Sequence, residues 1–127
     1  MSTKAILQVS CKGEDLDNYE VFAKYVAAVV GLTPLESRVF AETLRQRYIL
    51  SQEMPMEWVV KLLLSPKVTK SVRAKFHMSM QHYQVIRSKL RKVGVLLEND
   101  INPDYLLNSP INREPFNLLL ITRFVDE

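Results

Sequence analysis

The chain has 127 residues, 47% of them hydrophobic, which suits one globular domain and excludes wholesale disorder. No apolar run approaches the roughly 18 residues of a membrane span, the N-terminal stretch lacks the apolar core of a secretory signal, and a single cysteine, Cys11, excludes an intrachain disulfide and, with two histidines far from it, a zinc cluster. A reducing, cytoplasmic setting is therefore expected, and the net charge of +3 is mild in total but not in its distribution.

In chain order, Ile6, Leu7 and Val9 predict a short strand over residues 4–10, ended by Lys12-Gly13-Glu14. Leu16, Tyr19, Phe22, Ala23, Val26, Val29 and Val30 recur at three- and four-residue spacing and predict a helix over residues 15–30. Its first turn is acidic, as the helix dipole favours, and Gly31 stands at the C-cap. Thr33-Pro34-Leu35-Glu36 combines a capping threonine, a proline at the first helical position and a glutamate placed for a capping box. The helix it opens carries Leu35, Val39, Phe40, Leu44 and Tyr48 inward and Arg38, Glu42, Arg45 and Gln46 outward.

Residues 55–64 read as a helix or a strand, because the run is short and apolar nearly all round, with Trp58, Val59, Leu62 and Leu63 as its core contribution. Ser65-Pro66 breaks it. Two helices follow, over residues 69–76 and 80–93, separated by His77-Met78-Ser79. Ser79 is the N-cap of the second helix, Tyr83, Ile86, Leu90 and Val93 form its apolar stripe, and Gly94 ends it. Val95-Leu96-Leu97 and Ile101-Asn102 predict two short strands around a polar turn. Asn102-Pro103 predicts a brief helical turn, residues 108–115 a loop, and residues 116–125 a closing strand that pairs with the first.

Between Lys61 and Leu97 the chain holds no Asp or Glu but nine basic residues: Lys61, Lys67, Lys70, Arg73, Lys75, Arg87, Lys89, Arg91 and Lys92. The remainder holds eight basic and 14 acidic residues, so a segment at +9 faces a remainder at −6. A solvated surface normally mixes both signs. Segregation on this scale predicts a face for a polyanion, where neutralised phosphates release counterions.

The stretch from Ser71 to Leu97 resembles the core of winged helix-turn-helix proteins. Val72 and Phe76 on the first helix, Met78 in the turn, and Tyr83, Ile86 and Leu90 on the second are the apolar contacts of two crossed helices. A glycine stop and an immediate apolar strand are how members of this class pass from recognition helix to wing. The chain departs from the pattern at His77, where the class commonly has glycine, and at Ala74, one place after the usual small residue. The wing tip carries Glu98 and Asp100, so it is expected to avoid phosphate. In its brevity the chain is also similar to helix-turn-helix proteins of bacteriophages and mobile elements.

The resemblance implies a mainly α fold with a small β component: a winged helix-turn-helix at about residues 69–93, a wing at about 95–102, and an added N-terminal helix and terminal strands in one domain. It implies duplex DNA as partner and transcriptional regulation as function, read by the helix over residues 79–93. With Tyr83, Ile86 and Leu90 inward, the base-contact candidates are Gln81, His82, Gln84, Val85, Arg87 and Arg91. Gln matches adenine bidentately, Val the thymine methyl, and Arg guanine. Lys67, Lys70, Arg73, Lys75, Lys89 and Lys92 are phosphate-contact candidates, which position the protein without specifying sequence. The plainer alternatives are helix-forming filler for Gln81 and Gln84, and a surface role for His82. Regulators of this class commonly act as dimers, with the first helix or the terminal strand as candidate contacts.

No catalytic motif is present. Three glycines form no phosphate-cradling loop, no His-Glu-x-x-His occurs, Cys11 has no neighbouring base, and the acid pairs Glu14/Asp15, Glu98/Asp100 and Asp126/Glu127 fall at turns or the terminus. The expectation is a non-enzyme without cofactor or metal. The second functional class is a non-catalytic docking module of a transcription, replication or virion complex.

Overall fold

The computed structural model describes residues 2–9 and 16–123. The expectations for Cys11, for the turn at residues 12–14, for Glu14/Asp15 and Asp126/Glu127, and for the last two residues of the closing strand lie outside them. Among the described residues the fold is mainly helical. Five α-helices, α1 (Asn18–Val30), α2 (Pro34–Glu53), α3 (Met56–Leu62), α4 (Pro66–Lys75) and α5 (Met80–Lys92), lie in sequence between two strands, β1 (Ser2–Val9) and β2 (Phe116–Arg123). The strands form an antiparallel pair running from Ser2 opposite Arg123 to Val9 opposite Phe116. Val9 and Leu118 join the sheet to the helical core.

Local signals set most helix ends. Asp17 caps α1 through the Glu20 amide at 3.0 Å, and Gly31 closes it at φ +81°, a left-handed conformation that glycine adopts without a Cβ penalty. At the start of α2 the capping box is complete: the Glu36 amide donates to Thr33 Oγ1 at 3.2 Å and the Thr33 amide to Glu36 Oε1 at 2.9 Å. Tyr19, Phe22, Ala23 and Val26 from α1 pack with Val39, Phe40 and Leu44 from α2 in the main core. The segment after the 3₁₀ turn Pro103–Tyr105 is pinned back on α1, where Asn18 donates to Ser109 Oγ (2.6 Å) and the Pro110 carbonyl (3.0 Å), and the Tyr19 hydroxyl to the Ser109 carbonyl (2.5 Å).

Several expectations need correction. The Trp58 segment is a helix, and its tryptophan is not core: Val59 and Leu63 are buried, while Trp58 is 50% exposed with Lys61 Nζ 4.8 Å above its ring. Seven residues bury one narrow stripe, and Trp58 falls off it. Pro66 opens α4 rather than merely ending α3, because proline at the first helical position sacrifices no intrahelical hydrogen bond. Glu42 and Arg45 do not face outward: Glu42 is buried, and Arg45 bridges Asp17 (2.5 Å), Glu20 (3.1 Å) and Glu42, while the half-buried Gln46 donates to Glu42 Oε1 at 2.9 Å. Burial works against the Arg45 charge, but its bond to Asp17 and the carboxylates of Glu42 and Glu20 prevail and raise its pKa. The two strands after α5 reduce to a single bridge, Leu96 opposite Ile101.

Between α4 and α5 the turn is short. The Met78 amide donates to the Arg73 carbonyl at 2.9 Å, Met78 is buried, and Ser79 Oγ accepts from the His82 amide at 3.1 Å to start α5. His77 is in the left-handed region at φ +51°, the position where the winged-helix pattern commonly has glycine. A side chain there costs about 1 kcal/mol relative to glycine, partly offset by the greater freedom of glycine in the unfolded chain. His77→Gly is therefore expected to stabilise the protein by about 0.5 kcal/mol, read as a higher urea midpoint. A lower midpoint would show that the His77 side chain is itself holding the turn.

Candidate nucleic-acid interface

Helix α5 buries Tyr83, Ile86 and Leu90, all at 3% exposure or less, as its apolar spacing predicts. That stripe fixes what remains outside. Gln81, His82 and Gln84 are exposed, and Val85 is 68% exposed. Arg91 is exposed and donates to the Glu98 carbonyl at 2.8 Å, tying helix to hairpin. Arg87 is half-buried. On α4, Val68, Thr69 and Val72 are buried, which leaves Lys67 and Lys70 exposed and Arg73 half-buried.

The remaining phosphate-contact candidates divide. Lys92 is exposed and Lys89 half-buried. Lys75 points at α2, where its Nζ lies 2.7 Å from Glu42 Oε2. Lys75 is thus the one basic residue of α4 and α5 with an ion pair among the described residues. Lys67, Lys70, Arg73, Arg87, Lys89, Arg91 and Lys92 have no carboxylate partner there. Of the acids, Asp17, Glu20 and Glu42 are engaged by Arg45, and Asp100 by Arg47 at 2.7 and 3.1 Å. Asp100 also accepts from the Ile101 amide, so one of the two acids expected at the wing tip is neutralised at its base instead.

One grouping was not legible in the sequence. Tyr83 is 3% exposed, and burial pushes its hydroxyl pKa up, opposed by Arg87, then Arg91, then Arg73. Three guanidinium groups from two helices thus act on one phenol. Nε of Arg73 and Nε of Arg87 are both enclosed without a hydrogen-bond partner among the described residues. A buried unmatched donor costs about 1–3 kcal/mol, so these side chains are held in place at a cost. The spacing of Tyr83, Arg87 and Arg91, four residues apart, already signals a shared flank of α5. The contribution of Arg73 depends on how α4 crosses it.

A cleft of about 180 Å³ between α1, α2 and α4 is lined by Glu20, Arg38, Arg45, Lys75 and Phe76. Arg45 and Lys75 are already ion-paired there, so it is a poorer anion site than the open face. Among the described residues no three His, Cys, Asp or Glu side chains are grouped to hold a metal, and no helix is long and apolar enough to cross a membrane. Family models, curated proteins and solved structures yield no match to this chain.

Proposed function

We propose that the chain binds duplex DNA through the face formed by α4 and α5, and that it acts in transcriptional regulation as a winged helix-turn-helix protein. The observation that carries the reading is charge without a carboxylate partner among the described residues: seven cations lie on two consecutive helices, while Asp17, Glu20, Glu42 and Asp100 are engaged by Arg45, Arg47 and Lys75. The short turn with its left-handed third-from-last residue before α5, and the hairpin held to α5 by Arg91, support the same reading. In it α5 enters the major groove. Gln81, His82, Gln84 and Val85, on its first turns, reach base edges, while Lys67, Lys70, Lys89 and Lys92 neutralise phosphates. The hairpin is too short to add a deep minor-groove contact.

The test is fluorescence anisotropy with a duplex of random sequence across a salt series. Displacement of counterions by four to six phosphate contacts predicts a slope of log affinity on log salt of about −4 to −5. Lys70→Ala is expected to make that slope shallower by about 1 and to weaken all sequences alike. Absence of binding at low salt excludes the reading.

A second reading is a docking module of a larger nucleic-acid or virion assembly. It is favoured by α3, where Met56, Trp58 and Leu62 are 42%, 50% and 37% exposed on one short helix. It predicts a stable protein partner and little preference among DNA sequences.

A further inference from the structure

We propose that the outer edge of β2 pairs antiparallel with the same edge of a second copy of this chain, doubling the β1–β2 sheet to four strands around a two-fold axis at Leu120. Dimerisation of this kind is independent of whether α4 and α5 bind DNA.

The sheet has two strands of eight residues, each the other's only neighbour among the described residues. Each strand therefore keeps one edge with no strand against it there. A lone two-stranded sheet is marginal in water, and an open edge is a template for another strand. The two edges are not equivalent. β1 carries Lys4 at its third position, and a lysine on an edge opposes strand addition. β2 reads Phe-Asn-Leu-Leu-Leu-Ile-Thr-Arg. It holds no charge before Arg123 and no proline or glycine to blunt it. From Leu118 to Ile121 both alternating sets of positions are apolar, whereas a strand with one wet face alternates apolar with polar.

A second copy is the occupant that this sequence matches. Two-fold symmetry brings antiparallel strands together only with one residue opposite its own copy, because adjacent residues belong to opposite faces of the sheet. With Leu120 at that point, Leu119 stands opposite Ile121 of the second copy, Leu118 opposite Thr122, and Asn117 opposite Arg123. Apolar positions meet in the middle, and the cation meets a neutral amide with an acceptor oxygen. The two copies of Arg123 are then six residues apart along the ladder, about 20 Å, and do not oppose each other. Centring on Leu119 instead sets Asn117 against Ile121. Within the chain Asn117 stands opposite Gln8 and Arg123 opposite Ser2, so neither has a charged residue across from it that competes. The resulting order β1-β2-β2-β1 puts the Lys4-bearing strand on both outer edges, which ends the assembly at two copies.

Sedimentation equilibrium of the full chain, and of variants that melt as the parent does by circular dichroism, tests this. The parent is expected to approach twice its 14.7 kDa mass as concentration rises. Asn117 is exposed. Asn117→Arg sets like charges opposite each other twice per dimer and is expected to raise the dissociation constant about fivefold. Adding Arg123→Asp makes both pairs opposite in sign and is expected to return the constant to the parent value or below. The two positions are too far apart in one chain for that rescue to arise within it. Asn117→Asp alone is expected to tighten the dimer. A parent that stays monomeric into the millimolar range overturns the proposal and leaves the edge to a strand of another protein. A dimer indifferent to Asn117→Arg, or a loss that the double variant does not recover, overturns the pairing of β2 with its own copy in this register.

Discussion

Arg45→Ala is expected to destabilise the protein by about 3–5 kcal/mol, the range for removing one partner of a buried ion pair. Its guanidinium bridges Asp17, Glu20 and Glu42 with 11% of the side chain exposed, and Glu42 beneath it is only 7% exposed. Alanine leaves three carboxylates facing each other, with Lys75 alone, 47% exposed, to offset Glu42. Asp17 is also the N-cap of α1, so repulsion there loosens the α1–α2 pair on which the core is built. Urea unfolding measures the effect. A change below about 1 kcal/mol, as for an exposed ion pair, would mean that the cluster contributes no more than surface decoration.

Leu90→Ala carries the second large effect, about 2–5 kcal/mol. Leu90 is 2% exposed within the core, and its carbonyl accepts from both the Val95 and Leu96 amides, at 3.1 and 3.2 Å. It fixes α5 against the core and sets where the following hairpin begins. Truncation opens a cavity at this junction, and the loss should appear in both the unfolding midpoint and the hydrogen exchange of α5. Val85→Ala, one helical turn away at 68% exposure, is expected to shift stability by less than about 0.5 kcal/mol. Similar losses in the two variants would show that the inward stripe of α5 has been misassigned.

What the sequence made legible was local. Thr33 and Glu36 specify their own capping box, Gly31 and Gly94 their own left-handed stops, and Ser79 its own cap, because each interaction spans four residues or fewer. The stripe of Tyr83, Ile86 and Leu90 was readable for the same reason, and the pairing of the terminal strands followed from two apolar runs at the ends of one domain. Interactions between elements were not readable. Glu42 and Arg45 look like the polar face of α2, and only the approach of Asp17 and Glu20 on α1 makes that face interior. Pro66 terminates one helix and opens the next, and periodicity cannot separate those roles. Trp58 was assigned to the core by its chemistry, yet α3 is too short to bury more than Val59, with Leu63 following at its C-cap. Arg87 and Arg91 were visible as a flank of α5, but the enclosure of Nε in Arg73 and in Arg87 depends on neighbouring elements that no local spacing reveals.

In the proposed function, the cations of α4 and α5 that lack a carboxylate partner among the described residues find their anion in duplex DNA. Amide chemical-shift mapping of the ¹⁵N-labelled protein, titrated with a short duplex at low salt, tests it directly. The account predicts saturable shifts concentrated between Lys67 and Lys92, strongest around Arg73, the first turns of α5 and Arg87, with α1 and the terminal strand pair unmoved. Shifts centred on α1, α3 or the β1–β2 pair, with α4 and α5 silent, would contradict it.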